Sequence, residues 1–224
     1  MTLLETVMQY YAYLFHPAVV LGLGALLTVH WEWARTDLGR SALYRRWGTF
    51  LAAGAASLVP SLAYMLVTGQ GPVETMQGNG PQVDTLVAGG IFLAAGATWA
   101  LWRRFDWGDV VPALVVAYAA VAVPYVVLSP FWNISGHVLL STTPAAFLVL
   151  LDRQYWPTLA VPVVMVPNRP VVGAHTWPQA VGGFLVAATV VVAVYALYDG
   201  GVAGRSGSST GADSPESSAP RRTG

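Results

Sequence analysis

The sequence predicts an all-α integral membrane protein with about seven transmembrane helices. Three observations predict it. Of 224 residues, 55% are hydrophobic and only 10% are charged, against roughly a quarter charged in an average soluble domain. Apolar runs long enough to cross a hydrocarbon core of about 30 Å recur along the chain. All eleven basic residues are arginine, and threading the runs through a bilayer leaves Arg169 alone on one side and every other arginine on the opposite side, the bias that marks a cytoplasmic face. The formal net charge of zero, with no basic cluster outside the loops, excludes electrostatic nucleic-acid binding. With no cysteine, disulfides, thiolate nucleophiles and cysteine-ligated metals are excluded as well.

The start, Met1 to Tyr13, carries Glu5 and no positive n-region, so it does not read as a cleaved signal peptide. The first crossing is placed at Phe15 to Trp31, followed by Gly48 to Val67, Asp84 to Trp102 and Val110 to Leu128. Gly136 to Leu151 is a shorter fifth. Tyr155 to Pro167 is shorter still, about 20 Å as a helix, and holds three prolines; it reads as a crossing because a re-entrant loop would put His137 and His175 on opposite faces. Gln179 to Tyr198 is full length. Prolines 60, 112, 124 and 144 kink helices, which membrane segments tolerate, and the small-residue runs Ala52 to Ala56 and Ala88 to Gly90 read as helix packing.

The loop Thr68 to Val83 is rich in Gly, Pro and Gln, and its length is that of a loop that can cover a site. Residues 1–199 form the membrane domain. Residues 200–224, mostly Gly, Ser, Ala and Pro, cannot bury a core and read as a disordered tail. Seven crossings in the cell membrane place the N-terminus outside and this tail in the cytoplasm.

Arg169 breaks the positive-inside bias and needs a reason other than topology. Binding an anion is one. It precedes His175 by six positions in Asn168-Arg169-Pro170-Val171-Val172-Gly173-Ala174-His175, while Ser135-Gly136-His137 opens the fifth crossing and Gln179 the seventh. The hairpin of crossings five and six returns the chain to the same face, so two histidines and an arginine converge there. Both histidines lie at glycine-containing helix starts, where free N–H groups and the helix dipole favour an anion such as phosphate.

These segments resemble the second and third motifs of the type 2 phosphatidic acid phosphatase superfamily, the membrane lipid phosphate phosphatases, whose pattern is K-x6-R-P, P-S-G-H and S-R-x5-H-x3-D. Ile134-Ser135-Gly136-His137 matches the second motif at three of four positions. Asn168-Arg169, five residues, His175, three residues and Gln179 follow the third. The likeness covers about residues 129–198. It implies a lipid-phosphatase-like helical bundle that hydrolyses a phosphate monoester or diphosphate of an isoprenoid or glycerolipid through a phosphohistidine at the outer face, without metal or other cofactor. By position it makes His175 the nucleophile, His137 the general acid and Gln179 the orienting residue. Arg169, Asn168 and the groups around Ser135 and Gly136 would hold phosphate, Arg169 by bidentate charge-assisted bonds.

Two departures stand beside the matches. The first motif needs a lysine and this chain has none; its nearest imitation, Arg104 before Val111-Pro112, falls on the cytoplasmic side. One missing cation at about 4 Å removes about 4 kcal/mol of attraction at an effective dielectric near 20. Gln179 replaces the family's Asp, and only Glu5, Glu74 and Asp84 offer other outer carboxylates. A catalytically degenerate relative that binds an anionic lipid or acts as an assembly partner therefore stays open. So does a metal or haem site built from His16, His137 and His175, since neutral imidazole is a common ligand. His30, beside Glu32, reads as structural.

Overall fold

The computed structural model describes residues 2–76 and 80–208, and among them every regular element is helical. Helix α1 (Leu3–Leu14) begins in a capping box, the Thr2 hydroxyl accepting from Glu5 N–H and the Glu5 carboxylate accepting from Thr2 N–H. Helix α2 (Pro17–Trp33) starts on Pro17, with His16 as its N-cap, and bends 48° from α1. Helix α3 (Arg40–Gly54) passes through a 3-10 turn at Ala55–Leu58 into α4 (Val59–Thr68), which Gly69 ends in a left-handed conformation. A short α5 (Pro72–Met76) precedes α6 (Pro81–Phe105) and α7 (Val110–Trp132). Then come α8 (Gly136–Leu151), a 3-10 stretch at Arg153–Leu159, α9 (Ala160–Val171) and α10 (Trp177–Ser208).

Four of these, Arg40–Thr68 taken as one, Pro81–Phe105, Val110–Trp132 and Trp177–Asp199, are long and apolar enough to cross a membrane, and the bent α1–α2 pair makes a fifth. The fold class is thus an all-α integral membrane protein. Of the seven expected crossings, four or five are long enough by themselves; the two expected to be short are so, α8 having 16 residues and α9 12. Pro157 falls in the 3-10 stretch and Pro162, Pro167 and Pro170 in α9, where each removes a backbone donor. The first segment differs too, since α1 adds a helix ahead of the expected start. The expected tail at 200–224 falls largely on 209–224, outside the described residues.

Helices α7 and α8 form the centre, with α2, α6 and α10 packed around them. Leu114, Val121, Leu139, Phe147, Ala187 and Val191 make the main core. Threonines 142 and 143 are buried in α8 but return their hydroxyls to Val138 and Leu139 carbonyls at 2.7 and 2.9 Å, so no polar atom there is left unpaired. Gly24 lets α2 approach α8, because a Cβ there would stand 2.3 Å from Pro144 Cβ.

The bundle has two distinct ends. At one, Arg35 pairs with Asp152 at 3.2 Å, Arg103 pairs with Asp109 at 2.9 Å, and buried Glu32 accepts from Trp102 Nε1 and Val110 N–H, both at 2.9 Å. The other end gathers His16, His137, Arg169 and His175.

Candidate functional site

The histidine end is built by two chain reversals, between α9 and α10 and between α7 and α8. Helix α9 closes on Gly173, whose φ of +70° suits a residue without a Cβ. Gly173 N–H donates to Pro170 O at 3.0 Å, Ala174 N–H to Arg169 O at 3.0 Å, and His175 N–H to the same Arg169 carbonyl at 3.3 Å. The five-residue spacing between Arg169 and His175 is therefore one glycine-closed helix terminus, and it ties the backbone of the histidine to that of the arginine.

The second reversal aims the His175 ring. Asn133 ends α7 in a left-handed conformation at φ +44°, and its carbonyl lies 3.2 Å from His175 Nδ1. A carbonyl can only accept, so Nδ1 carries the proton and Nε2 presents a lone pair. Burial, and then the Arg169 guanidinium, hold His175 below the ordinary histidine pKa, with the Asn133 bond opposing them; its resting form is the neutral one that a nucleophile requires.

The same reversal places His137 on the first turn of α8. Its ring meets the His16 ring edge-on at 5.6 Å between centroids, and Arg169, His16 and His175 all lie within electrostatic reach of it. His16 Nδ1 accepts from Ala18 N–H at 3.3 Å, so one of its ring nitrogens is already committed to capping α2.

Arg169 is only 6% exposed. Its Nε has no hydrogen-bond partner, and among the described residues no carboxylate pairs with it. A buried guanidinium without a counter-charge is costly. Ser135 Oγ and Asn168 Oδ1 are also buried without partners.

The remaining residues of the motifs sit differently from their expected roles. Gln179 does not hold His175: its Oε1 accepts from Thr176 N–H and its Nε2 donates to Trp132 O, both at 2.9 Å, so it staples the start of α10 to the end of α7. Asn168 donates its amide N–H to Met8 O and so fastens α1 to α9. Ser135 N–H is occupied by Gln179 O at 3.3 Å, leaving the N–H groups of Gly136, His137 and Val138, the first residues of α8, as those without intrahelical acceptors. Gly136 is fixed by packing, since a Cβ there would lie 2.5 Å from Tyr125 Oη.

Of the three outer carboxylates, Glu5 serves the α1 cap and Glu74 accepts from Gly71 N–H at 2.6 Å. Asp84 is the one that reaches the site. It is buried on the first turn of α6, accepts from the Tyr125 and Ser129 hydroxyls, and its charge acts on His175. Asn133 and Tyr125 were missed because one contributes a backbone carbonyl and the other an aromatic within an apolar run; neither leaves a motif. A cleft of about 540 Å³ opens beneath these groups, lined at its polar end by His16, Asp84, His137 and His175.

Compared with known proteins, the chain matches no family model, no curated protein and no solved structure. Among the described residues, no three His, Asp or Glu side chains come together closely enough to hold a metal ion.

Proposed function

We propose that this chain is a membrane phosphohydrolase that removes phosphate from a lipid phosphate, related to the type 2 phosphatidic acid phosphatases. The observation that carries the reading is the buried, unpaired Arg169 beside two histidines, one of which presents a free Nε2. A phosphate supplies the missing counter-charge, and Arg169 offers it two parallel donors.

In this reaction Nε2 of His175 attacks phosphorus, forming an N–P bond as the P–O bond to the lipid alcohol breaks. The two negative charges of the phosphate favour the protonated form of His137 beside them, and that ring gives its proton to the departing alkoxide. Water then attacks the phosphohistidine while neutral His137 accepts its proton, releasing inorganic phosphate and restoring both rings. Asn133 O and Asp84 stabilise the positive charge that His175 acquires. The membrane is the cell membrane, with the histidine end at the outer face and the arginine-rich end in the cytoplasm.

A second reading, an anionic-lipid-binding relative without turnover, is favoured by one observation: His175 Nδ1 is held by the neutral Asn133 carbonyl, and among the described residues no carboxylate hydrogen-bonds to the ring. Inorganic phosphate release from phosphatidate, lysophosphatidate and polyprenyl diphosphate by detergent-purified protein tests the choice. Release by the parent protein that is lost in His175→Ala and Arg169→Ala supports hydrolysis. Binding of these lipids without release, by folded protein, supports the second reading.

A further inference from the structure

The cleft is long, mostly apolar and bounded at one end by His16, His137 and His175; Arg169 lies outside its lining but within electrostatic reach of the last two rings. On α6 it is lined from Asp84 to Thr98, a separation of fourteen residues, or about 21 Å at 1.5 Å per residue. Its volume is about 540 Å³. Its charged and imidazole side chains are at the histidine end, and the remainder is mostly apolar, with Leu21, Phe50, Leu58 and Ile91 beside the hydroxyls of Ser57, Thr98 and Tyr118. The wall packed beside α6 is where the helix from Arg40 tightens into the 3-10 turn at Ala55–Leu58, just ahead of Pro60. Ser57 of that turn rests on Gly90, where a Cβ would meet the Ser57 carbonyl at 2.4 Å. Two lining glycines, Gly22 and Gly54, face open space: a Cβ at either would meet nothing within 4 Å.

We infer that this cleft binds one hydrocarbon chain of an amphiphile whose anionic head sits against Arg169 and the histidines. The inference rests on the phosphate-site reading for the head, and adds to it that the substrate is single-chained. An extended chain advances about 1.2 Å per bond, so about 21 Å spans about seventeen bonds, enough for a sixteen-carbon chain and its bond to the head. Taking a methylene as similar in size to the roughly 30 Å³ of a water, sixteen carbons fill about 480 Å³, whereas a second chain would double the requirement. A monoalkyl, monoacyl or linear isoprenoid phosphate fits; a two-chain phosphatidate does not.

Equilibrium binding of octyl, dodecyl and hexadecyl phosphate and of a phosphatidate with two sixteen-carbon chains tests this, with each lipid at one fixed mole fraction in detergent micelles so that partitioning into the micelle does not set the order. The parent protein should bind hexadecyl phosphate at least tenfold more tightly than octyl phosphate or the two-chain lipid. Gly22→Leu and Gly54→Leu place a side chain in the cleft and replace glycine by a better helix former. Each should weaken hexadecyl phosphate at least tenfold while leaving octyl phosphate within twofold, whereas Arg169→Ala should weaken all lengths alike. Equal binding of all lipids, or a length preference that neither glycine variant moves, would overturn the inference. Phosphate release is read separately: length-selective binding without release removes the hydrolase reading and keeps this one, and release with no length preference does the reverse.

Discussion

At the scale of single residues, the site works through one unbalanced charge. Arg169 is held under protein without a carboxylate, and such a group either costs stability or awaits an anion. Arg169→Ala is therefore expected to abolish phosphate release without lowering thermal stability, while phosphate or a nonhydrolysable alkyl phosphonate raises the melting temperature of the parent and not of the variant. His16→Ala removes a ring that caps α2, a loss of about 1 kcal/mol, and should leave release within severalfold. His175 titrates below the ordinary histidine value of about 6.5 because of burial and Arg169. A lowered pKa keeps the ring neutral as pH falls, so the acid limb of kcat/KM should lie below that value; in Asp84→Asn, which removes a charge that favours the protonated ring, it should move further down. An acid limb unmoved in Asp84→Asn would separate Asp84 from His175.

The residue pattern showed Arg169, His137 and His175 in the sequence because their spacing encodes a helix terminus and a helix start. It did not show that Asn133 O, rather than Gln179, accepts the hydrogen bond from His175 Nδ1, because a backbone carbonyl leaves no side-chain signature.

At the scale of elements, hydropathy reports crossings well and their interruptions poorly. The segments that became α6, α7 and α10 were visible as uninterrupted apolar runs. Helix α1 was not, because Glu5, Gln9 and its tyrosines dilute the hydropathy, and its place is set by a contact distant in sequence, Asn168 to Met8 O. The run Ala52 to Ala56 looked like packing, yet it leads into a 3-10 turn beside the cleft, since small residues permit close approach and open space alike.

Where packing does decide, the consequence is measurable. Gly136→Ala drives a methyl against Tyr125 and disturbs its bond to Asp84, and overpacking of this kind costs about 1–3 kcal/mol, read as a fall in melting temperature. Glu32→Ala strands the Trp102 and Val110 donors that join α2 to α6 and α7, about 1–3 kcal/mol for each buried donor. Glu32→Gln, which keeps an acceptor, should cost less.

At the scale of the whole molecule, the two ends of the bundle differ in kind. One carries ion pairs between arginine and aspartate, and the other an arginine with none among the described residues. The absence of cysteine makes this asymmetry easy to orient: a membrane-impermeant thiol reagent should label Thr176→Cys in intact cells and reach Leu38→Cys only after the membrane is opened, and the reverse order would invert the proposed topology. The most direct test of the hydrolase account is whether phosphate becomes bonded to His175 during turnover. Rapid quenching of the protein with a phosphorus-labelled alkyl phosphate should trap label that is stable in base, lost in acid, confined to His175 and absent from His175→Ala. Phosphate release with no label on the protein, or with label on another residue, would contradict it.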